Sequence, residues 1–117
     1  MAVGIGGFVG SILRYLVGLL PLDTGNGFPI KTFLINLIGA FLLGFLSVCL
    51  GKRVELSPQV ALFLKVGLCG GFTTFSTFAY ESSSLVQDGH MGVALLYMIG
   101  SLVLGVLAAL LGQWIAG

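Results

Sequence analysis

The sequence predicts an all-α membrane protein, and three observations predict it. Of its 117 residues, 57% are hydrophobic and 8% charged, whereas a soluble domain carries about 25% charged residues. The apolar residues gather into four runs, each near the length of about 20 residues that crosses a bilayer. Glycine, with 19 copies, falls largely inside those runs instead of between them. Mean hydropathy is +1.14, and the length suits one small domain.

The first span covers residues 3–20 (VGIGGFVGSILRYLVGLL), with Arg14 as its one charge. It lacks a basic leader and holds that arginine inside its apolar run, so it reads as a span and not as a signal peptide. A turn-rich loop, PLDTGNGFP, follows. The second span, 32–51, contains no charge. KRVELSP is a short polar loop, and Pro58 suits the first turn of the next helix. The third span, 59–86, carries Lys65 and Glu81 and is interrupted near 70–74. Lys65 reads as a snorkelling interfacial residue. QDGH is a turn that leaves His90 in a loop, and residues 91–116 form a charge-free fourth span.

Several classes are excluded. A net charge of +1 offers nothing to nucleic acid. Cys49 and Cys69 lie in apolar runs and read as packing residues, neither a disulfide framework nor a metal site. The chain is not expected to be an enzyme. An enzyme acting on lipid headgroups needs clustered acids, bases or ligands, but His90 and the carboxylates Asp23, Glu55, Glu81 and Asp88 are scattered. A small multidrug-resistance-type, proton-coupled exporter needs an acidic residue in its first span, where this chain has only Arg14. A non-conducting helper subunit of a membrane complex is the remaining alternative.

Small residues recur four apart at Gly6 and Gly10, Ala40 and Gly44, Gly67 and Gly71, and Ser101 and Gly105. That spacing lets helix backbones approach closely in lipid. It serves packing within one chain or between copies, and four short helices enclose so little that a dimer or larger oligomer is expected. The charge asymmetry that orients membrane proteins is weak: Lys52, Arg53 and Lys65 on one side, Lys31 and Arg14 on the other. Such a chain can insert both ways, which makes an antiparallel dimer physically reasonable. The alternative is one orientation set by Lys52 and Arg53.

The stretch GGFTTFSTF, residues 70–78, is the most backbone-polar part of the chain. Gly67, Gly70 and Gly71 weaken a helix, and the threonines and Ser76 can bond backbone groups. A break in lipid leaves unpaired carbonyls and amides, tolerated only against protein, water or an ion. Freed carbonyls suit a cation such as sodium. The competing reading is a continuous helix with a glycine packing face. Phe75 and Phe78 lie three apart and share a helix face. Such a stripe is ordinarily core, yet ring edges are positive and can favour a small anion without trapping it.

The chain resembles the Fluc (CrcB) fluoride-channel family. The resemblance rests on GGFVGSILRY at 6–15, TFLINLIGAFLLG at 32–44, GLCGGFTTFSTFAYE at 67–81 and LYMIGSLVLG at 96–105, which touch all four spans in order. It implies four transmembrane helices, the third broken at mid-membrane, in an antiparallel dual-topology homodimer with two pores. It implies multi-pass residence in the plasma or inner membrane, with fluoride as the permeant ion. Backbone carbonyls of Gly70 and Thr73 from both subunits would hold a structural sodium ion. Phe75 and Phe78 would line the fluoride path together with Asn36, Ser76, Thr77 and Glu81, with Tyr97 and Ser101 on the fourth span and Arg14 near a vestibule. The residue types suit these roles, since amides and hydroxyls can replace an anion's hydration shell and Arg14 can concentrate anions. Taken residue by residue, Asn36 reads equally as interhelical glue, Arg14 as a snorkelling cation, and Glu81 as a structural partner of a base. Two positions depart from the family pattern: Ile30-Lys31 where relatives often carry an aromatic and a glycine, and Gly105 where some carry a hydroxyl.

Overall fold

The computed structural model describes residues 1–22, 25, 27–52 and 57–117. Parts of the two expected loops, with Asp23, Arg53 and Glu55, lie outside the described residues. Every regular element is helical: α1 (Ala2–Gly18), α2 (Ile30–Lys52), α3 (Pro58–Leu62), a π-helical segment (Phe63–Cys69), α4 (Gly70–Phe72), α5 (Ser76–Gln87) and α6 (Met91–Ala116).

The helix ends follow from local chemistry. Ser57 accepts a hydrogen bond from the Val60 N–H at 3.3 Å and Pro58 opens α3, a capped start that leaves no proline donor wasted. At the far end of α5, Gly89 adopts φ +82°. The His90 N–H donates to Leu85 O at 2.8 Å and the Gly89 N–H to Val86 O at 3.2 Å. This paired C-terminal cap turns the chain directly into α6. Lys31 Nζ donates to Gly18 O at 2.8 Å, placing a cation on the negative end of α1.

Three stretches are long and apolar enough to cross a membrane: Ile30–Leu50, Pro58–Gln87 and Met91–Ala116. Helix α1 is apolar but has 17 residues, about 26 Å at 1.5 Å per residue, short of a hydrocarbon core of about 30 Å.

The chain runs up, down, up, down in two glycine-seamed pairs. Parallel α1 and the π-helical segment meet where a Cβ on Gly67 would lie 2.8 Å from Gly6 Cα, and one on Gly71 would lie 2.7 Å from Gly7 O. Parallel α2 and α6 meet at Gly44 against the Ala109 backbone and at Gly112 against the Phe41 and Phe45 backbone. The expected small-residue spacings at 6/10 and 67/71 thus serve one seam within the chain. At Gly105, by contrast, a Cβ would meet nothing from another element within 4 Å among the described residues. Both cysteines are free, Cys69 buried and Cys49 half-buried.

Little is enclosed. Ile35, Cys69, Phe72, Leu85, Ala94, Tyr97 and Ala116 are the buried apolar residues, while Phe8, Leu102 and Trp114 stand exposed among many others. An apolar exterior of this extent calls for lipid or a partner.

Candidate functional site

The third pass is interrupted in two ways. From Phe63 to Cys69 the helix widens to π-helical turns, a geometry that frequently accompanies functional sites. After Phe72 it opens: Thr73 is extended, with φ −82° and ψ 161°. Gly70 and Gly71 remain helical, so the opening falls on Thr73–Phe75.

The threonines, not the glycines, carry the opening because they can absorb the backbone bonds it frees. Thr73 Oγ1 donates to Cys69 O at 3.1 Å, beside the Thr73 N–H, which donates to the same oxygen at 3.0 Å. Thr74 Oγ1 accepts from the Thr77 N–H at 3.3 Å in the first turn of α5. The Thr74 backbone is taken up by α2: its N–H donates to Asn36 Oδ1 at 2.9 Å, and its carbonyl accepts from Asn36 Nδ2 at 3.0 Å. Among the described residues, the carbonyls of Gly70, Gly71, Phe72 and Thr73 receive no backbone donor across the opening. They form the negative end of a half-helix.

Beyond the opening, Phe75 is 78% exposed. Its ring lies 6.0 Å from that of Phe78, and Phe78 lies 5.0 Å from Tyr97. Phe28 and Phe33 extend the aromatic chain past Tyr97. Tyr97 is fully buried and donates its hydroxyl to Glu81 Oε1 at 3.0 Å. The buried Thr32 hydroxyl reaches the same phenol oxygen.

A groove of about 800 Å³ runs along this face. It brings together six of the residues singled out by sequence: Asn36, Gly70, Thr73, Phe75, Phe78 and Ser101. Ser101 Oγ is buried without a hydrogen-bond partner among the described residues, a polar atom open to a ligand or a neighbour. Ser76 and Thr77 stand on α5 outside the groove lining, and Tyr97 and Glu81 are engaged with each other. Arg14 lies half-buried on α1, away from the groove, with no hydrogen bond among the described residues. Lys65 and Thr74 are among the groove residues that had no site role from sequence. Lys65 lines the groove, where sequence placed only a snorkelling cation, and Thr74 is the residue Asn36 holds. A lysine inside the third apolar run, shortly before GGFTTFSTF, was the available signal for the first; nothing local signals the second.

These features define a class: a small helical membrane protein with an interrupted helix opening onto a groove of carbonyls, hydroxyls and aromatic edges. The chain belongs to the CrcB family, since residues 1–113 match the family described as CrcB-like protein, Camphor Resistance (CrcB). It is 47% identical over 116 residues to the "Fluoride-specific ion channel FluC" of Chlorobaculum tepidum, covering 99% of this chain and 92% of that protein. It is also 47% identical over 118 residues to a protein of that name from Thermus thermophilus, covering 100% and 94%. For a FluC protein of Chlorobium phaeobacteroides, the identity is 45% over 116 residues, covering 99% and 91%.

Proposed function

We propose that this chain is a fluoride-selective, passive ion channel of the plasma or inner membrane. The observation that carries the reading is near-full-length identity to proteins named fluoride-specific channels, with the stretch GGFTTFSTF opening onto the groove. Hydrogen fluoride is neutral and crosses bilayers; in a more alkaline cytoplasm it dissociates and the anion is trapped. A selective pore lets the membrane potential drive fluoride out, with no covalent step and no energy source in the chain.

The site chemistry supports conduction. The Phe75 and Phe78 ring edges are weakly positive, strong enough to replace part of a hydration shell and too weak to hold the ion. Asn36 and Ser101 add donors along the same groove. That balance of attraction and release is what permeation requires.

The working unit in this reading is an antiparallel homodimer spanning the bilayer with four helices per chain. The 78% exposure of Phe75 and the open Gly105 face support a second copy closing the groove. A dimer holds two such grooves, hence two pores. The freed carbonyls, including those of Gly70 and Thr73, fit a structural sodium ion: hard oxygen donors at the negative end of a half-helix. Bound there, the ion would neutralise that end and tie the two chains together.

The test is fluoride efflux from liposomes holding only this purified chain, with a potassium ionophore removing the opposing voltage and chloride followed in parallel. Rapid fluoride release with little chloride release is expected. Silence from folded protein would favour a helper subunit, and proton-coupled release of organic cations would favour an exporter.

A further inference from the structure

We propose that Asn36 is a positioning residue: by binding both backbone atoms of Thr74, it fixes the opening in the third pass and aims Phe75 into the groove. The proposal rests on the channel reading for its functional consequence, but its structural half stands alone.

Were the helix continuous, the Thr74 N–H would donate to Gly70 O and the Thr74 carbonyl would accept from the Phe78 N–H. The Asn36 amide replaces both bonds, at 2.9 and 3.0 Å, from a residue 38 positions away. Because one partner is an N–H and the other a carbonyl, the orientation of the amide is set by the pairing. A primary amide supplies an acceptor and a donor side by side on two separate atoms. An aspartate keeps the acceptor and loses the donor; an alanine loses both.

Gly39 stands one turn further along α2, on the same face. A Cβ there would collide with the Thr73 methyl group. Helix α2 therefore meets the opening twice, with a clamp on Thr74 and a hollow for Thr73. The downstream consequence is direct. Thr74 Oγ1 caps the first turn of α5 through the Thr77 N–H. Phe75 follows immediately, 78% exposed, and its ring pairs with that of Phe78. Its direction is thus set largely by its backbone, and its backbone is held by Asn36. One Asn36 amide hydrogen is not used by Thr74, so the same side chain keeps a donor for the groove it lines.

The experiment replaces Thr74 with its α-hydroxy acid, turning the Thr74 N–H into an ester oxygen, in the full chain with Asn36 intact and with Asn36→Ala. Fluoride flux and amide exchange are both read. Each single change is expected to slow flux roughly tenfold, as loss of a buried partner does. The two together are expected to cost no more than one, since the ester also removes the donor that Asn36→Ala strands. Wild-type flux in the ester protein, or losses that simply multiply, would overturn the proposal and leave Asn36 acting on the anion alone. Exchange at Thr74 is expected to be slow in the unmodified chain and at least about tenfold faster in Asn36→Ala. Equal exchange would overturn the clamp. If the unmodified chain conducts no fluoride, the channel reading fails while the exchange result still decides the clamp.

Discussion

The Tyr97 hydroxyl donates to Glu81 Oε1 at 3.0 Å, joining α6 to α5 behind the Phe75–Phe78 pair. Tyr97 is fully buried and its ring packs on Phe78 and Phe28. This bond gives Glu81 a structural partner: through Tyr97 it supports the wall against which Phe78 packs.

Tyr97→Phe keeps the ring and strands the carboxylate. It is expected to destabilise the folded protein by about 1–3 kcal/mol, the cost of an unmade buried bond. Glu81→Gln keeps an acceptor for the phenol and should cost less. Thermal unfolding in detergent compares them, and a double-mutant cycle should show coupling between the two positions. Additive losses would remove the structural role given to this pair.

Phe75 and Phe78 should separate by stability, not by flux. Phe78 is wedged between Phe75 and Tyr97, whereas Phe75 is largely exposed. Phe78→Ile is expected to lower stability by about 1–3 kcal/mol and Phe75→Ile by less than about 1 kcal/mol. Both are expected to reduce fluoride efflux by about tenfold or more, because both remove a ring edge from the groove. Wild-type efflux in either folded variant would take that ring out of the pathway.

The sequence exposed chemistry better than partnership. Asn36 was conspicuous as an amide in a charge-free span, but its partner lies 38 residues away and no local pattern points to Thr74. The four-residue glycine spacing announced close helix approach without saying whether 67/71 would meet 6/10 of the same chain or a second copy; tertiary packing decides that. The opening itself was legible as a cluster of glycine and threonine. Its placement on Thr73–Phe75 was less so, because a helical glycine in an apolar setting still satisfies its backbone, whereas threonine offers an alternative. The π-helical turns at Phe63–Cys69 left no compositional trace. The short α1 reflects where the chain bends, since Leu19 and Leu20 continue the apolar run beyond its last turn.

The two kinds of glycine should respond oppositely to a side chain. A Cβ on Gly71 would lie 2.7 Å from Gly7 O and 2.9 Å from Gly7 Cα, backbone atoms that cannot step aside. Gly71→Val is expected to cost about 1–3 kcal/mol or to prevent folding. Gly105 faces open space among the described residues of its own chain, so Gly105→Trp should leave each chain folded and weaken pairing with a second copy. Crosslinking and size analysis in detergent would detect the shift from dimer to monomer; an unchanged dimer would place Gly105 against lipid.

Lys65 sits on the groove lining ahead of the opening. A cation there would raise the local anion concentration in the groove. Lys65→Gln is expected to reduce fluoride efflux severalfold at low ionic strength and to bring little change at high salt, where screening already removes the field. Equal effects at both salt concentrations would argue that Lys65 packs and does not attract.

The freed carbonyls of Gly70–Thr73 lead to the last prediction. Four acceptors at the end of a half-helix are costly in an apolar setting unless something positive meets them. The Asn36 clamp does not meet them, because both of its bonds go to the Thr74 backbone. A backbone site has no side chain to delete, so the test must vary the cation. Thermal stability should rise with sodium and remain low when sodium is replaced by a bulky organic cation at equal ionic strength. Above half-saturation each tenfold increase in sodium should add about 1.4 kcal/mol, as binding to the folded state alone requires. The dimer should loosen in parallel, because the proposed ion draws on carbonyls of both chains. Identical unfolding in the two cations would leave these carbonyls to water, and the opening would then be held by Asn36 and the threonines without an ion.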